Sequence, residues 1–124
     1  MSWQKRLTEI NDKDTGLRVT EREGRGSWTV LSVNGYLDTA NSHLFGKILM
    51  RGFQEDSAGL ALEIRDLQYI SSTGVGVLSS ILVESKKRGQ PFCLIGMQEK
   101  VKKVFSLLGF EKFFHTVERI EELE

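Results

Sequence analysis

Asp66-Leu67-Gln68-Tyr69-Ile70-Ser71-Ser72-Thr73-Gly74-Val75-Gly76 is the stretch in which the periodicity of the chain changes. Before it, Leu60, Leu62 and Ile64 alternate with Ala61 and Glu63, the period of two of a covered strand. After it, Val75, Leu78, Ile81 and Leu82 recur at helical spacing until Lys86-Lys87-Arg88-Gly89, a basic last turn with a glycine cap. The three hydroxyls Ser71, Ser72 and Thr73 therefore fall where a strand hands over to a helix. Ser71 or Ser72 supplies the N-cap, worth about 1 kcal/mol, and one cap needs only one hydroxyl. Gly74 and Gly76 each cost a helix roughly 1 kcal/mol relative to Ala, so the first turn favours close backbone approach, as a docking surface does. Its dipole and unpaired N–H groups suit a phosphate, bound or covalently attached.

Working outward, Leu17 to Glu23 and Trp28 to Tyr36 read as an opening hairpin around Gly24-Arg25-Gly26-Ser27. Asp38 or Thr39 caps a first helix striped by Leu44, Phe45, Ile48, Leu49 and Phe53. Gly59 to Ile64 is the next strand, and Pro91 to Met97 another, with its proline tolerable at the first position. Val101, Val104, Phe105 and Leu108 make an amphipathic helix that ends at Gly109, with Phe110 placed for a Schellman contact. Phe113 to Val117 reads as a short edge strand, and Ile120 and Leu123 mark a last helical turn. Residues 1–16 form an N-terminal extension, either a short helix carrying Trp3, Leu7 and Ile10 or a frayed tail; residues 17–124 are one domain.

A hairpin followed by strand–helix alternation predicts an α/β fold: a single domain with a mixed, mostly parallel open sheet covered by helices. Asp38 and Ser72 then both follow strand ends at the carboxyl edge of the sheet, where open α/β sheets carry function. The expected core comprises Leu44, Ile48, Leu62, Ile64, Val77, Ile81, Leu94, Val104 and Leu108.

Composition excludes several classes. Lys+Arg and Asp+Glu both total 17, so no global field steers the chain to nucleic acid. No apolar run reaches a membrane span and the first residues lack a signal-peptide core, which predicts a cytoplasmic protein. Cys93 is the single cysteine, in an apolar run, so it reads as a buried small hydrophobe. The Gly74-Val75-Gly76 run lacks the third glycine of a dinucleotide fingerprint, and neither a phosphate loop nor a nucleophile elbow frames Ser71 or Ser72. His43 and His115 are the only histidines, too few for a metal cluster and without a triad pattern. No catalytic residue, cofactor, metal or small-molecule substrate is expected.

Three segments taken together resemble STAS domains, the modules of bacterial anti-sigma factor antagonists and of sulfate transporters. Val33 to Asp38 followed by Ala40 is similar to the family's Gly-x-Leu-Asp…Ala step, Leu67 to Val77 to its phosphorylation loop, and Val101 to Phe114 to its late helix and exit. The resemblance covers about residues 17 to 124 and implies an element order β-β-α-β-α-β-α-β-α. It also implies a function: an antagonist that binds an anti-sigma factor with serine kinase activity when unmodified, and is released when Ser72 is phosphorylated, so regulating transcription. Ser71 stands where the family usually has Asp and is a second, lesser acceptor. Asp38, Ser71, Ser72, Thr73, Gly74 and Gly76 are the partner-binding residues so implied. The alternative is a STAS subunit of a transporter or signalling assembly that docks without phosphorylation.

Overall fold

The computed structural model describes residues 10–12, 16–22 and 26–123. In chain order its elements are β1 (Ile10–Asp12), β2 (Leu17–Arg22), β3 (Trp28–Leu37), α1 (Ser42–Arg51), β4 (Gly59–Glu63) and β5 (Leu67–Ile70). They continue with α2 (Ser72–Arg88), β6 (Phe92–Ile95), α3 (Glu99–Leu107), β7 (His115–Val117) and a 3-10 turn, Ile120–Glu122. The sheet runs β1-β2-β3-β4-β6-β7, antiparallel across β1-β2-β3 and parallel from β3 onward. The expected mixed, mostly parallel α/β sheet with an opening hairpin is the fold observed.

Alternation along the strands divides the sheet into two faces. Leu17, Val19, Leu31, Val33, Leu60, Leu62, Phe92 and Leu94 point toward the helices and pack with Phe45, Ile48 and Leu49 of α1, Val75, Leu78 and Ile81 of α2, and Val101 and Phe105 of α3. Each such large side chain contributes roughly 1.5–3 kcal/mol on leaving water. On the opposite face Val30, Ala61, Cys93 and Ile95 are covered by Leu123, with Trp28, Val117 and Ile120 alongside.

The ten-residue β3 outruns β4. Trp28 to Ser32 pair with Gly59 to Glu63, and beyond that Gly35 to Leu37 pair with β5, in parallel, after a register shift at Gly35/Tyr36. β5 escapes the sequence reading because its burial does not alternate: Leu67 and Ile70, three apart, are the buried pair. Gly35, at φ +100°, lets β3 pass the start of β2, for an added Cβ would lie 1.8 Å from the Gly16 carbonyl oxygen.

Leu44 and Leu108, expected in the core, are 51% and 41% exposed, while Val77 and Val104 are only partly covered. The cause is where the helices begin and end. α1 starts at Ser42 and buries Ser42, Phe45, Ile48 and Leu49, which turns Leu44 aside. Leu108 is the C-cap of α3, where the chain reverses through Gly109. That exit is the expected Schellman motif: Phe110 N–H donates to the Phe105 carbonyl at 2.9 Å and Gly109 N–H to Ser106 at 3.1 Å. α2 ends likewise, with Gln90 N–H on Ser85 and Gly89 N–H on Lys86.

The edge strand is shorter than expected because Phe114 leaves it for the core, edge-on to Phe105 at 5.3 Å and Phe92 at 6.4 Å. Of the extension, Ile10 to Asp12 is a strand rather than helix or tail; Trp3 and Leu7 lie outside the described residues, as do Glu23 to Arg25 of the hairpin turn.

Two outcomes check this packing by chemical denaturation. Leu62→Ala should cost about 2–5 kcal/mol, and Leu44→Ala less than about 1 kcal/mol. Gly35→Ala should cost at least about 3 kcal/mol, because both the positive φ and the clash with backbone oppose it.

Candidate functional site

Two junctions meet at the carboxyl edge of the sheet. Ser71 N–H donates to the Leu37 carbonyl at 2.9 Å, which fastens the end of β5 to the end of β3. Just past these ends, the loop beginning at Asp38 and the helix beginning at Ser72 lie side by side, and the Thr39 and Thr73 hydroxyl oxygens are 3.4 Å apart. The Asp38 and Ser72 regions, 34 residues apart in the sequence, are therefore one surface.

The two adjacent serines do different things. Ser71 is the N-cap of α2: its backbone is extended, its Oγ accepts the Gly74 N–H at 3.0 Å, and only 8% of the residue is exposed. Ser72 is the first helical residue and is exposed. Of the four N–H groups that a helix start leaves over, those of Ser71 and Gly74 are thereby satisfied, which leaves those of Ser72 and Thr73 for solvent or an anion.

Asp38 has a structural task as well. Its Oδ1 accepts the Asn41 N–H at 3.0 Å while Asn41 Oδ1 accepts the Asp38 N–H at 3.0 Å, a reciprocal pair that stiffens the loop. Asn41 Nδ2 also donates to the Tyr36 carbonyl at 3.0 Å, and Ser42 Oγ donates to the Asp38 carbonyl. Asn41, not Asp38 or Thr39, is therefore the N-cap residue of α1, and its side chain caps no helix N–H. Asp38 remains half-buried, with its loop fixed beside Ser72.

The glycines also part. Gly74 is buried, and an added Cβ would lie 2.9 Å from Ile70 and 3.1 Å from Leu37, so its small size lets α2 sit down on the sheet. Gly76 faces open space. It lines a groove of about 640 Å³ between α1 and α2, with Thr73, Met50, Val77 and Ile81, and with His43, Lys47 and Glu84 among its polar groups. Sequence reasoning missed this groove and the half-exposed Tyr36 and Tyr69, register partners on β3 and β5. A signal was present: Tyr36-Leu37-Asp38 and Tyr69-Ile70-Ser71 repeat a tyrosine, an apolar residue and a turn-forming residue before each junction.

Chemical machinery is not assembled here. Ser72 shares no hydrogen bond with His43 or His115, and among the described residues no group of three or more His, Cys, Asp or Glu is placed to hold a metal. Burial first, and Glu122 second, push the Cys93 thiol up to about 11, so it is no nucleophile at neutral pH.

Residues 19–123 match the family model of the STAS domain, and the chain belongs to that family. A Thermotoga maritima protein provisionally named an anti-sigma factor antagonist is 30% identical over 98 residues, which cover 75% of this chain and 83% of that one. The crystal structure of a Thermotoga maritima protein likewise provisionally named an anti-sigma factor antagonist aligns at a TM-score of 0.72 over 81% of this chain and 86% of the other, at 28% identity. The anti-sigma-B factor antagonist of Staphylococcus epidermidis is 22% identical over 73% of this chain and 84% of its own. The fold is also that of the antagonist SpoIIAA in its unphosphorylated form, at a TM-score of 0.64 and 17% identity over 83% of this chain and 90% of that one. The phosphorylated Bacillus SpoIIAA aligns at 0.62, again with 17% identity, over 83% and 94%. Antagonists of this family are regulators, not enzymes, and the chain is not a catalyst. No described helix is long and apolar enough to cross a membrane.

Two measurements test the site as drawn. Ser71→Ala should cost about 1 kcal/mol and Ser71→Asp much less, since Asp caps as well as Ser. Cys93 should resist a thiol reagent in the folded protein at pH 8 and react fully in denaturant.

Proposed function

We propose that this chain is a cytoplasmic anti-sigma factor antagonist switched at Ser72: unmodified it binds an anti-sigma factor with serine kinase activity, and phosphorylated it lets go, so controlling transcription. The observation that carries the reading is the division of labour at the helix start, where the exposed Ser72 presents a hydroxyl that the fold does not use while Ser71 does the capping. The names of the relatives agree with it, and SpoIIAA, whose fold the chain shares, exists in a phosphorylated form. Ser71 in place of the family's usual Asp is compatible with it as well, because the two residues cap a helix about equally well.

In this reading Asp38, Ser72, Thr73 and Gly76 meet the partner, with Tyr36, Tyr69 and the α1–α2 groove extending the contact, and Ser71 and Gly74 hold Ser72 in place from below. Residues 17–124 form the STAS unit and 1–16 an extension that adds β1 to its edge. A phosphate on Ser72 brings roughly −1.5 to −2 charges, which the helix dipole and the two free N–H groups accept within the domain. The partner, fitted against small hydroxyls and glycine, would instead have to desolvate a dianion beside Asp38, and dissociation quickens.

Incubation with ATP and a cognate kinase should add one phosphate by intact mass to wild type and to Ser71→Asp, and none to Ser72→Ala. By titration calorimetry Ser72→Asp should bind the anti-sigma factor at least about tenfold more weakly, a loss of ~1.4 kcal/mol, with an unchanged circular dichroism spectrum. Equal affinities for wild type, Ser72→Asp and Ser72→Ala would overturn the switch and favour a constitutive docking subunit.

A further inference from the structure

Tyr36 and Tyr69 are large side chains that the core does not use. They are 51% and 48% exposed, while the next residue on each strand, Leu37 and Ile70, is buried against the helices. Alternation therefore turns both tyrosines to the other face of the sheet. On that face the C-terminal Ile120 and Leu123 pack over Val30, Ala61, Cys93 and Ile95, and the tyrosines stand outside this cluster. As register partners on parallel strands the two sit side by side, with their backbones about 4.8 Å apart. Among the described residues no hydrogen bond engages either hydroxyl.

We propose that this tyrosine pair is the anchor of the anti-sigma factor interface, supplying affinity that does not depend on the state of Ser72, a role that rests on the switch reading of the site. Reach selects this occupant. Tyr36 is two residues from Asp38 and Tyr69 three from Ser72, so the separations are at most about 7 and 11 Å. A standard interface covers about 800 Å² of each partner, a disc of roughly 16 Å radius, so a partner seated on Ser72 covers the pair as well. The bond from Ser71 N–H to the Leu37 carbonyl fixes the two places relative to each other. Around Ser72 the surface offers Thr39, Thr73 and Gly76, which allow a close fit but bury little area. Tyrosine supplies the missing area with few rotamers to freeze, and it is a frequent hot spot where it is covered. The free hydroxyls call for acceptors, so the complementary surface is apolar and edged by carbonyl or carboxylate oxygens. A phosphate on Ser72 repels what lies over Ser72 and Asp38, whereas the rings carry no charge for it to oppose. The phosphorylated chain therefore keeps a residual, tyrosine-dependent affinity.

The test is titration calorimetry of the full chain against the anti-sigma factor without ATP, in the wild-type and Ser72→Asp backgrounds. Tyr36→Ala and Tyr69→Ala should each weaken binding at least about tenfold, by the same factor in both backgrounds. The double variant Tyr36→Phe with Tyr69→Phe keeps the rings and should lose less than either Ala variant. All should retain a native circular dichroism spectrum, because both positions are half-exposed. Ala variants that bind as wild type does overturn the anchor and leave the switch standing. Equal affinities for wild type and Ser72→Asp, with the loss still seen in the Ala variants, overturn the switch and leave the anchor. A loss confined to the wild-type background, or one as large in the Phe variant, overturns the anchor. So does a tyrosine-dependent dimer in sedimentation velocity with the affinity for the anti-sigma factor unchanged.

Discussion

The hydrogen bond from Ser71 N–H to the Leu37 carbonyl holds the carboxyl edge of this domain together. It is short-range in space and long-range in sequence, and it is reached only because β3 continues past β4 and finds a second partner in β5. On one side of it the chain turns into the Asp38–Asn41 loop, and on the other it enters α2 through the Ser71 cap. Both junctions inherit their positions from this rung, so the Thr39 and Thr73 hydroxyls meet without any side chain having to reach across a gap.

That arrangement depends on two residues having no side chain. Gly35 must pass within contact distance of the Gly16 backbone for β3 to bend from β4 toward β5, and Gly74 must lie against Ile70 and Leu37 for α2 to start where it does. Neither position tolerates the displacement a Cβ would require, because what it would meet is backbone in the first case and the buried ends of β3 and β5 in the second. Gly76 is different, since nothing opposes a side chain there, and its smallness bears on the groove rather than on the fold.

The sheet, its helices and the helix exits were legible because each rests on a local pattern: alternation in Leu60 to Ile64, helical spacing after Val75, and Gly89 and Gly109 at positive φ. What escaped was set by tertiary geometry. β5 has no alternation to read, since its outer edge lies beside α3 and its buried residues are three apart. Leu44 fits the apolar stripe of α1 by spacing, yet the reciprocal Asp38–Asn41 bonds delay the helix to Ser42 and fix its rotation with Leu44 outside. At the site, sequence placed the hydroxyls at a helix start but left open which one caps. The answer lies in the backbone angles of Ser71, φ −84° and ψ 167°, which only the way β5 enters the helix determines.

That assignment has an energetic consequence for any switch built here. Were the cap and the modified residue the same serine, adding a phosphate would rearrange the bond that starts α2, and regulation would cost the fold about the 1 kcal/mol a cap is worth. With the cap on buried Ser71 and the free hydroxyl on Ser72, the fold retains its bond and gains a charge at the favourable end of the helix, typically 0.3–1 kcal/mol. An opposing surface gains no such compensation and bears the desolvation of the new charge, several kcal/mol if it is left unpaired. The interface thus bears a penalty larger than the stabilisation that the helix end gives the fold, and the two have opposite signs. On the proposed reading, a phosphate at this position would therefore act on association and leave the domain folded.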